Sequence, residues 1–376
     1  MHYLDHAATT PVPPQVAQAM AEALTENFGN PSAQYELGRR ARDLVEQGRG
    51  RVAAALGCRP AQVAFTSCGT EGDNWAILAA LHQNRRTGRH IVTTAVEHSA
   101  VLQCVKRLEQ EGCAVTYVRP DSAGGRVTAA QVAGTLREDT ALVSVMLVNN
   151  ETGARFPVEE IAAGLRGHPA LLHTDAVQGF LKVPFTAGSL GADFVTLSAH
   201  KLGGPKGIGA LYIGGRARNT RPLLVGGGQE SGLRPGTEAV AQIAGFAKAV
   251  ELRCARLEEV NAHMAACRDY ARRRLGDIPG LQFIGPADAP HILSFSLPGY
   301  PSQNLVSELS GREIYISAGS ACHRGKVSHV LSAMGVERRT AAGTVRVSFG
   351  PETERGDIDA LAEAVAEHRE KRFPML

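Results

Sequence analysis

The chain lacks most of what would mark a secreted, membrane-spanning or nucleic-acid-binding protein. Its seven cysteines, at 58, 68, 104, 113, 254, 267 and 322, are odd in number and contain no Cys-x-x-Cys pair. That spacing argues against a disulfide framework or a zinc site and for a reducing compartment, so the expected location is the cytoplasm. The start, MHYLDHAATT, has neither the basic region nor the apolar stretch of a secretory signal. No uncharged apolar run approaches the ~18 residues that would span a bilayer, so no membrane association is expected. Aromatic residues make up 5% of the chain and the formal net charge is only +3. The basic spots 271–275, 218–221 and 337–339 are scattered and have little aromatic interleaving, so direct nucleic-acid binding is not expected. Two nucleotide signatures are missing as well. No Gly-x-x-x-x-Gly-Lys-Ser/Thr loop occurs, and the glycines of GGPKGIG (203–209) lack the strand-turn-helix context of a dinucleotide site.

What is present is an ordinary globular composition, 44% hydrophobic and 20% charged, over 376 residues. That length predicts two domains, or one large and one small. Short β-rich runs at 62–66, 91–96, 114–118, 142–148, 171–174 and 194–198 alternate with helix-period segments. One such segment carries Val101, Val105 and Leu108 at spacings of four and three. The alternation predicts an α/β fold whose mostly parallel sheet is covered by helices on both faces. The run at 208–214 follows too closely for a helical crossover and reads as an antiparallel return strand. Beyond a glycine-rich stretch at 226–237 comes a long helical pattern over roughly 237–275. Strand-like runs at 291–297, 313–318 and 344–349 then form a smaller α+β unit. Pro11, Pro13 and Pro14 keep the N-terminal stretch out of an early helix.

Ligands of parallel α/β sheets bind at the carboxyl ends of the strands. The residues just past each strand form a coherent set there. Ser67-Cys68-Gly69-Thr70 makes a small-residue turn into a helix, which favours an anion through free backbone N–H groups and the helix dipole. Glu97-His98, Asn149-Asn150-Glu151, Asp175 with Gln178, and Ser198-Ala199-His200-Lys201 follow the next strands. Each has an ordinary structural reading: a core imidazole, a turn amide, a helix N-cap, a surface charge. Together they put an amine, a carboxylate, imidazoles, amides and an anion cradle on one edge. Pyridoxal 5′-phosphate needs that combination: a lysine, a carboxylate for its ring nitrogen, and donors for its phosphate.

With those motifs in place, the sequence resembles the cysteine desulfurases, class V aminotransferase-like members of the fold-type I pyridoxal-phosphate enzymes. The resemblance rests on YLDHAATTPV (3–12), TSCGTEGDN (66–74), EHSAVL (97–102), VNNETG (148–153) and HTDAVQ (173–178). It continues in SAHKLGGPKGIGALY (198–212), GGGQESGLRPGT (226–237) and SAGSAC (317–322), and so runs almost end to end. It implies a large cofactor-binding domain, 14–255, and a small domain formed by 1–13 and 256–376. It implies that Lys201 attaches the cofactor and removes the substrate Cα proton. Asp175 would pair with the ring nitrogen, His98 would stack on the ring and move protons, and Gln178 and Asn150 would line its hydroxyl side. Gly69, Thr70, Ser198 and His200 would hold the phosphate, joined by Thr237 of a second copy, which implies a homodimer. Asn150 and Arg346 would bind the substrate, L-cysteine, and an arginine on the apolar run TVRVSF suits a bidentate carboxylate. Cys322 would take up the sulfur as a persulfide, yielding L-alanine, and pass it to an acceptor protein of an iron–sulfur cluster or thio-modification pathway. The basic residues His323, Arg324 and Lys326 would favour its thiolate. Selenocysteine lyase, or a related β-eliminating lyase, is the alternative activity. Cys68 stands where the family usually has glycine, Phe156 where glutamine is common and Pro235 where serine is common. The segment from Cys322 to Val330 is shorter than in long-loop members.

Overall fold

The computed structural model describes residues 1–121, 125–318, 328–371 and 374. Its strands are β1 (His2–Tyr3), β2 (Val63–Thr66), β3 (His90–Thr94), β4 (Ala114–Val118), β5 (Thr140–Ser144) and β6 (Leu171–Asp175). They continue with β7 (Phe194–Ser198), β8 (Gly209–Ile213), β9 (Gln282–Ile284), β10 (Ile292–Ser296), β11 (Ile314–Tyr315) and β12 (Thr344–Ser348). The main sheet has seven strands in the order β2-β8-β7-β6-β5-β3-β4. β7, β6, β5, β3 and β4 run parallel, whereas β8 is antiparallel to both β7 and β2. Two reversals restore the direction, so β2 also ends at the edge where the parallel strands end. The central strands are buried on both faces, which is why they read as nearly continuous apolar runs rather than alternating ones.

The expected run at 142–148 is a strand only as far as Ser144. Beyond it, Val145 and Leu147 still donate their N–H groups to His173 O and Asp175 O, but the chain is turning across the sheet edge. Four helices precede β4: α1 (Pro14–Thr25), α2 (Glu36–Leu56), α3 (Gly69–Gln83) and α4 (Ser99–Gln110). Pro14 is not kept out of helix; it opens α1, where a missing N–H is harmless and its fixed φ suits the first turn. The long helical pattern after residue 237 divides into Val240–Ala255 and Leu257–Gly276, with Arg256 at φ −129° between them.

β12, β10 and β9 form a three-stranded antiparallel sheet, and β1 pairs in parallel with β11. A core that includes Leu4, Met264, Phe295, Val345 and Val365 lies under these elements, separate from the cores on the two faces of the main sheet. The N-terminal segment belongs to both regions. Ser348 N–H donates to Leu4 O at 2.8 Å, and Thr10 N–H donates to His200 O at 3.0 Å. It therefore ties the edge strand of the smaller sheet to the turn after β7.

Candidate active site

The carboxyl edge of the main sheet opens into a cavity of about 390 Å³. Lys201 enters it from a short helical turn, Ala199–Lys201, directly after β7. Its Nζ donates to Ala7 O at 2.8 Å and to Ala8 O at 2.7 Å, so the N-terminal segment forms one wall. Burial pushes the amine's pKa down to about 8; Arg346 pushes the same way, and Asp5 and Asp175 oppose it. Such an amine has a substantial neutral fraction near neutral pH, which attack on a carbonyl or removal of a proton requires.

Two buried carboxylates line the same cavity, Asp175 at the end of β6 and Asp73 in the second turn of α3. Burial raises Asp175, and the charge of Asp73 raises it further; Val177 N–H donates to its Oδ1 at 2.9 Å. Burial lifts Asp73 to about 7 against a hydrogen bond from Thr196. Among the described residues its Oδ1 has no hydrogen-bond partner, although His173 Nε2 stands 3.4 Å away. One oxygen from each carboxylate and a ring nitrogen of His98 lie within 4.8 Å of one another. Two carboxylates so close resist ionising together, so the position favours a cationic N–H. His98 caps α4, its Nδ1 accepting the Ala100 N–H at 3.2 Å, which leaves Nε2 to carry the proton. Behind it, Glu97 is held by Thr94 Oγ1 at 2.7 Å and Met146 N–H at 3.0 Å. Burial lifts that carboxyl to about 8, so it stays protonated at neutral pH.

At the other end of the cavity α3 begins at Gly69 with no side chain capping it. A Cβ on Gly69 would fall 2.9 Å from Val177 Cγ2, so glycine is what lets the helix start this close to the turn after β6. Ser198 Oγ is buried beside this helix start and has no hydrogen-bond partner among the described residues. An uncapped helix N-terminus next to an unused hydroxyl is a cradle for a phosphate. His200 lines the same cavity, and its Nδ1 lies 3.2 Å from Thr9 Oγ1.

Arg346, on β12, reaches the opposite wall and is 5% exposed. Nη2 donates to Asp5 Oδ1 at 2.8 Å and Nη1 to Asn150 O at 2.8 Å, while Nε is buried without a hydrogen-bond partner among the described residues. Gln178 donates through Nε2 to Ala7 O at 2.8 Å. Ser317 lines the cavity too and exchanges two backbone hydrogen bonds with Arg346, at 3.1 and 2.7 Å. Where description resumes, Ser328 Oγ donates to Glu151 Oε2 at 2.6 Å and His329 Nε2 meets Glu97 O at 3.0 Å.

One cavity thus gathers Gly69, Thr70, His98, Asn150, Asp175, Gln178, Ser198, His200, Lys201 and Arg346. Thr237 is exposed and does not line it. Cys322 lies outside the described residues. Sequence reasoning gave no role to Asp73, Asp5 or Ser317. Asp73 had a readable signal, since it follows Gly69 by four positions and so shares the face of the helix start. Asp5 had none, because nothing in the spacing brings residue 5 to residue 346.

A family model described as aminotransferase class V matches residues 2–361. "Cysteine desulfurase IscS" from Methanosarcina thermophila is 40% identical over 369 residues, covering 97% of this chain and 91% of the relative. The solved structure of a "NifS-like protein" superposes with a TM-score of 0.92 at 37% identity, covering 98% of this chain and 99% of that one. A structure described as "SspA in complex with cysteine" superposes with a TM-score of 0.81 at 32% identity, covering 94% and 100%. The chain belongs to the class V aminotransferase family, in the company of its cysteine desulfurases. Pyridoxal 5′-phosphate is the cofactor of that family. The residues present fit it: an amine of lowered pKa, a buried carboxylate pair that favours a cationic N–H, and a helix start beside an orphaned hydroxyl.

Proposed function

We propose that the cavity around Lys201 carries out cysteine desulfuration, taking sulfur from L-cysteine and releasing L-alanine. The observation that carries this reading is the placement of Lys201, the Asp175–Asp73 pair and Arg346 on three walls of one cavity. Bound there, the cofactor supplies an electron sink that acidifies the substrate Cα–H and labilises the carbon–sulfur bond. Lys201 Nζ anchors the cofactor and, once freed, takes the Cα proton. Asp175, with Asp73 beside it, holds the proton on the ring nitrogen. Gly69, Thr70 and Ser198 hold the phosphate, with His200 alongside, and Thr237 reaches the site of a second copy in a homodimer. Gln178 and Asn150 flank the ring. His98, with its proton on Nε2, stands where it can stack on the ring and pass a proton to the departing group. Arg346 exchanges its contact with Asp5 for the substrate carboxylate, which matches its planar fork.

Cys322 is the thiol that receives the sulfur. Supporting this, Ser317 is on the cavity wall, and five residues of chain span at most about 18 Å. The persulfide then passes to an acceptor protein. The large and small domains divide at 255/256, which the break at Arg256 and the separate core beneath the smaller sheet support. No described helix is long and apolar enough to cross a membrane. Together with the irregular cysteine pattern, that supports a cytoplasmic site of action.

The test is incubation of the cofactor-loaded enzyme with L-cysteine, following alanine and mapping added sulfur by mass spectrometry. The expected result is one alanine per sulfur delivered, a persulfide on the peptide containing Cys322, and loss of alanine formation in Cys322→Ser. Persulfide on Cys68, with Cys322→Ser fully active, would overturn the assignment and move the acceptor to the phosphate turn.

A further inference from the structure

A second cavity, of about 430 Å³, lies on the other side of Lys201 and has no part in the chemistry above. Four of its lining residues are basic and nearly buried: His6, Lys182, Arg253 and His291 are 4%, 5%, 7% and 0% exposed. Among the described residues Lys182 Nζ has one hydrogen-bond partner, Gln178 Oε1 at 3.4 Å. Arg253 donates through Nε to Leu181 O at 3.2 Å and through Nη2 to Asn261 Oδ1 at 3.1 Å, both neutral groups. His291 Nε2 meets Gln178 Oε1 at 3.0 Å, while its Nδ1 and that of His6 are buried with no hydrogen-bond partner among the described residues. The His6 ring is packed so tightly under the backbone that a Cβ on Gly350 would fall 2.1 Å from its Cε1.

Among the described residues no carboxylate forms an ion pair with Lys182 or Arg253. Glu352, the acidic residue of the lining, is exposed. Buried basic groups normally sit against a counter-charge, because an isolated ion loses its hydration without compensation. Here burial, and then repulsion from Arg253, Lys201 and Arg346, pushes the Lys182 amine well below its ordinary pKa. The wall is built for an anion that the protein itself does not provide. Much of the remaining lining is apolar, Val260 and Met264 among it.

We propose that this cavity binds a small aliphatic carboxylate. Its carboxylate group lies against Lys182 and Arg253, and its short chain lies against Val260 and Met264. Protonation of either imidazole turns its unpartnered Nδ1 into a further donor. An inorganic oxyanion fits less well, since phosphate or sulfate needs donors on every side and would lose hydration against the apolar lining. The volume, about 430 Å³, admits a ligand of a few carbon atoms with room to spare. Gln178 stands between this cavity and the active site: its Nε2 holds Ala7 beside Lys201, and its Oε1 takes Lys182 and His291. The inference does not depend on the activity assigned above.

The experiment is titration of the cofactor-loaded enzyme with sodium butyrate at constant ionic strength, read by calorimetry and by melting temperature. Saturable binding in the millimolar range is expected, with a matching rise in melting temperature and no effect of 1-butanol, which keeps the chain and lacks the carboxylate. Lys182→Met should weaken it at least tenfold. Arg253→Gln, which keeps a donor of similar reach, should do the same should the first variant fold poorly. Arg346→Gln should keep the binding, tightened if anything by relief of its repulsion on Lys182, because that residue faces the other cavity. Four outcomes would overturn the proposal: no saturable binding up to about 100 mM, undiminished affinity in both cavity variants, loss of binding in Arg346→Gln, or phosphate binding as tightly as butyrate.

Discussion

Lys201 stands between two cavities of similar size that treat charge in opposite ways. On the reaction side, cations and anions alternate: Arg346 meets Asp5, Asp175 faces His98, and Lys201 is drawn toward both acids. On the far side, Lys182, Arg253, His6 and His291 share one wall with no buried acid among them. In the first arrangement opposite signs offset part of the cost of burial, and Lys201 at about 8 and Asp73 at about 7 stay within reach of neutral pH. In the second, burial and like charge act together, so the Lys182 amine and the His291 ring are both pushed far toward neutrality. A balanced cavity can run proton chemistry near neutral pH. An unbalanced one stores an electrostatic demand that a ligand can satisfy.

Removing the residue shared by both cavities should have the largest effect. Lys201→Ala should cut alanine formation by about 10⁴-fold, as it deletes both the anchoring amine and the base. Measured turnover within tenfold of the wild type would refute its role. Next comes the balanced side. Arg346→Lys keeps the charge but loses the planar fork, so the Michaelis constant for cysteine should rise by roughly 30-fold while kcat changes less. A fall in kcat alone would show that Arg346 acts elsewhere than on the carboxylate.

The unbalanced side should answer in stability. Folding lowers the pKa of Lys182, first through burial, so its charged form is costlier in the folded protein than in the unfolded chain. The penalty is therefore full below the depressed folded pKa and vanishes as pH rises past the ordinary value of 10.5. Lys182→Met, of similar length and uncharged, should stabilise the protein by about 1–3 kcal/mol at pH 7 in carboxylate-free buffer. The gain should shrink as pH approaches 10. Urea unfolding at pH 7 and pH 10 checks both statements, and a variant less stable than the wild type at pH 7 would contradict them.

The two sides also differ in how far the sequence revealed them. The reaction cavity was legible because its residues follow successive strands, and parallel strands deliver whatever comes next to a single edge. Asp175, Lys201, His98 and Gly69 each sit within four residues of a strand end. Arg346 and Asp5 meet only because the N-terminal segment joins the smaller sheet beside β12, a contact across 341 positions that no local spacing encodes. The far cavity was illegible for the same reason. His6, Lys182, Arg253 and His291 come from four distant segments, and each alone reads as an ordinary polar residue. A division at 255/256 was expected, but no proline or glycine marks the interruption of the helix at Arg256, because the helical period continues through it.

The finest test concerns the balance that sets the pKa of Lys201. Asp5 raises that pKa directly, and by pairing with Arg346 it also mutes a neighbouring positive charge. Both effects favour the charged amine, so Asp5→Asn should lower the pKa from about 8 rather than raise it. A shift of about half a unit is expected for a charge partly screened by its own partner. Reductive methylation of the cofactor-free protein with formaldehyde, quantified at Lys201 by mass spectrometry, reads the neutral fraction directly. Labelling in the wild type should rise about tenfold per pH unit below 8 and then level off, since the logarithm of the neutral fraction is linear there. Exposed lysines should keep rising toward pH 10 and serve as the internal control. In Asp5→Asn the plateau should begin earlier; in Arg346→Gln, which removes the opposing charge, it should begin later. Equal midpoints in all three proteins would mean that burial alone sets the amine, and that the alternation of charge around it has no bearing on its readiness to react.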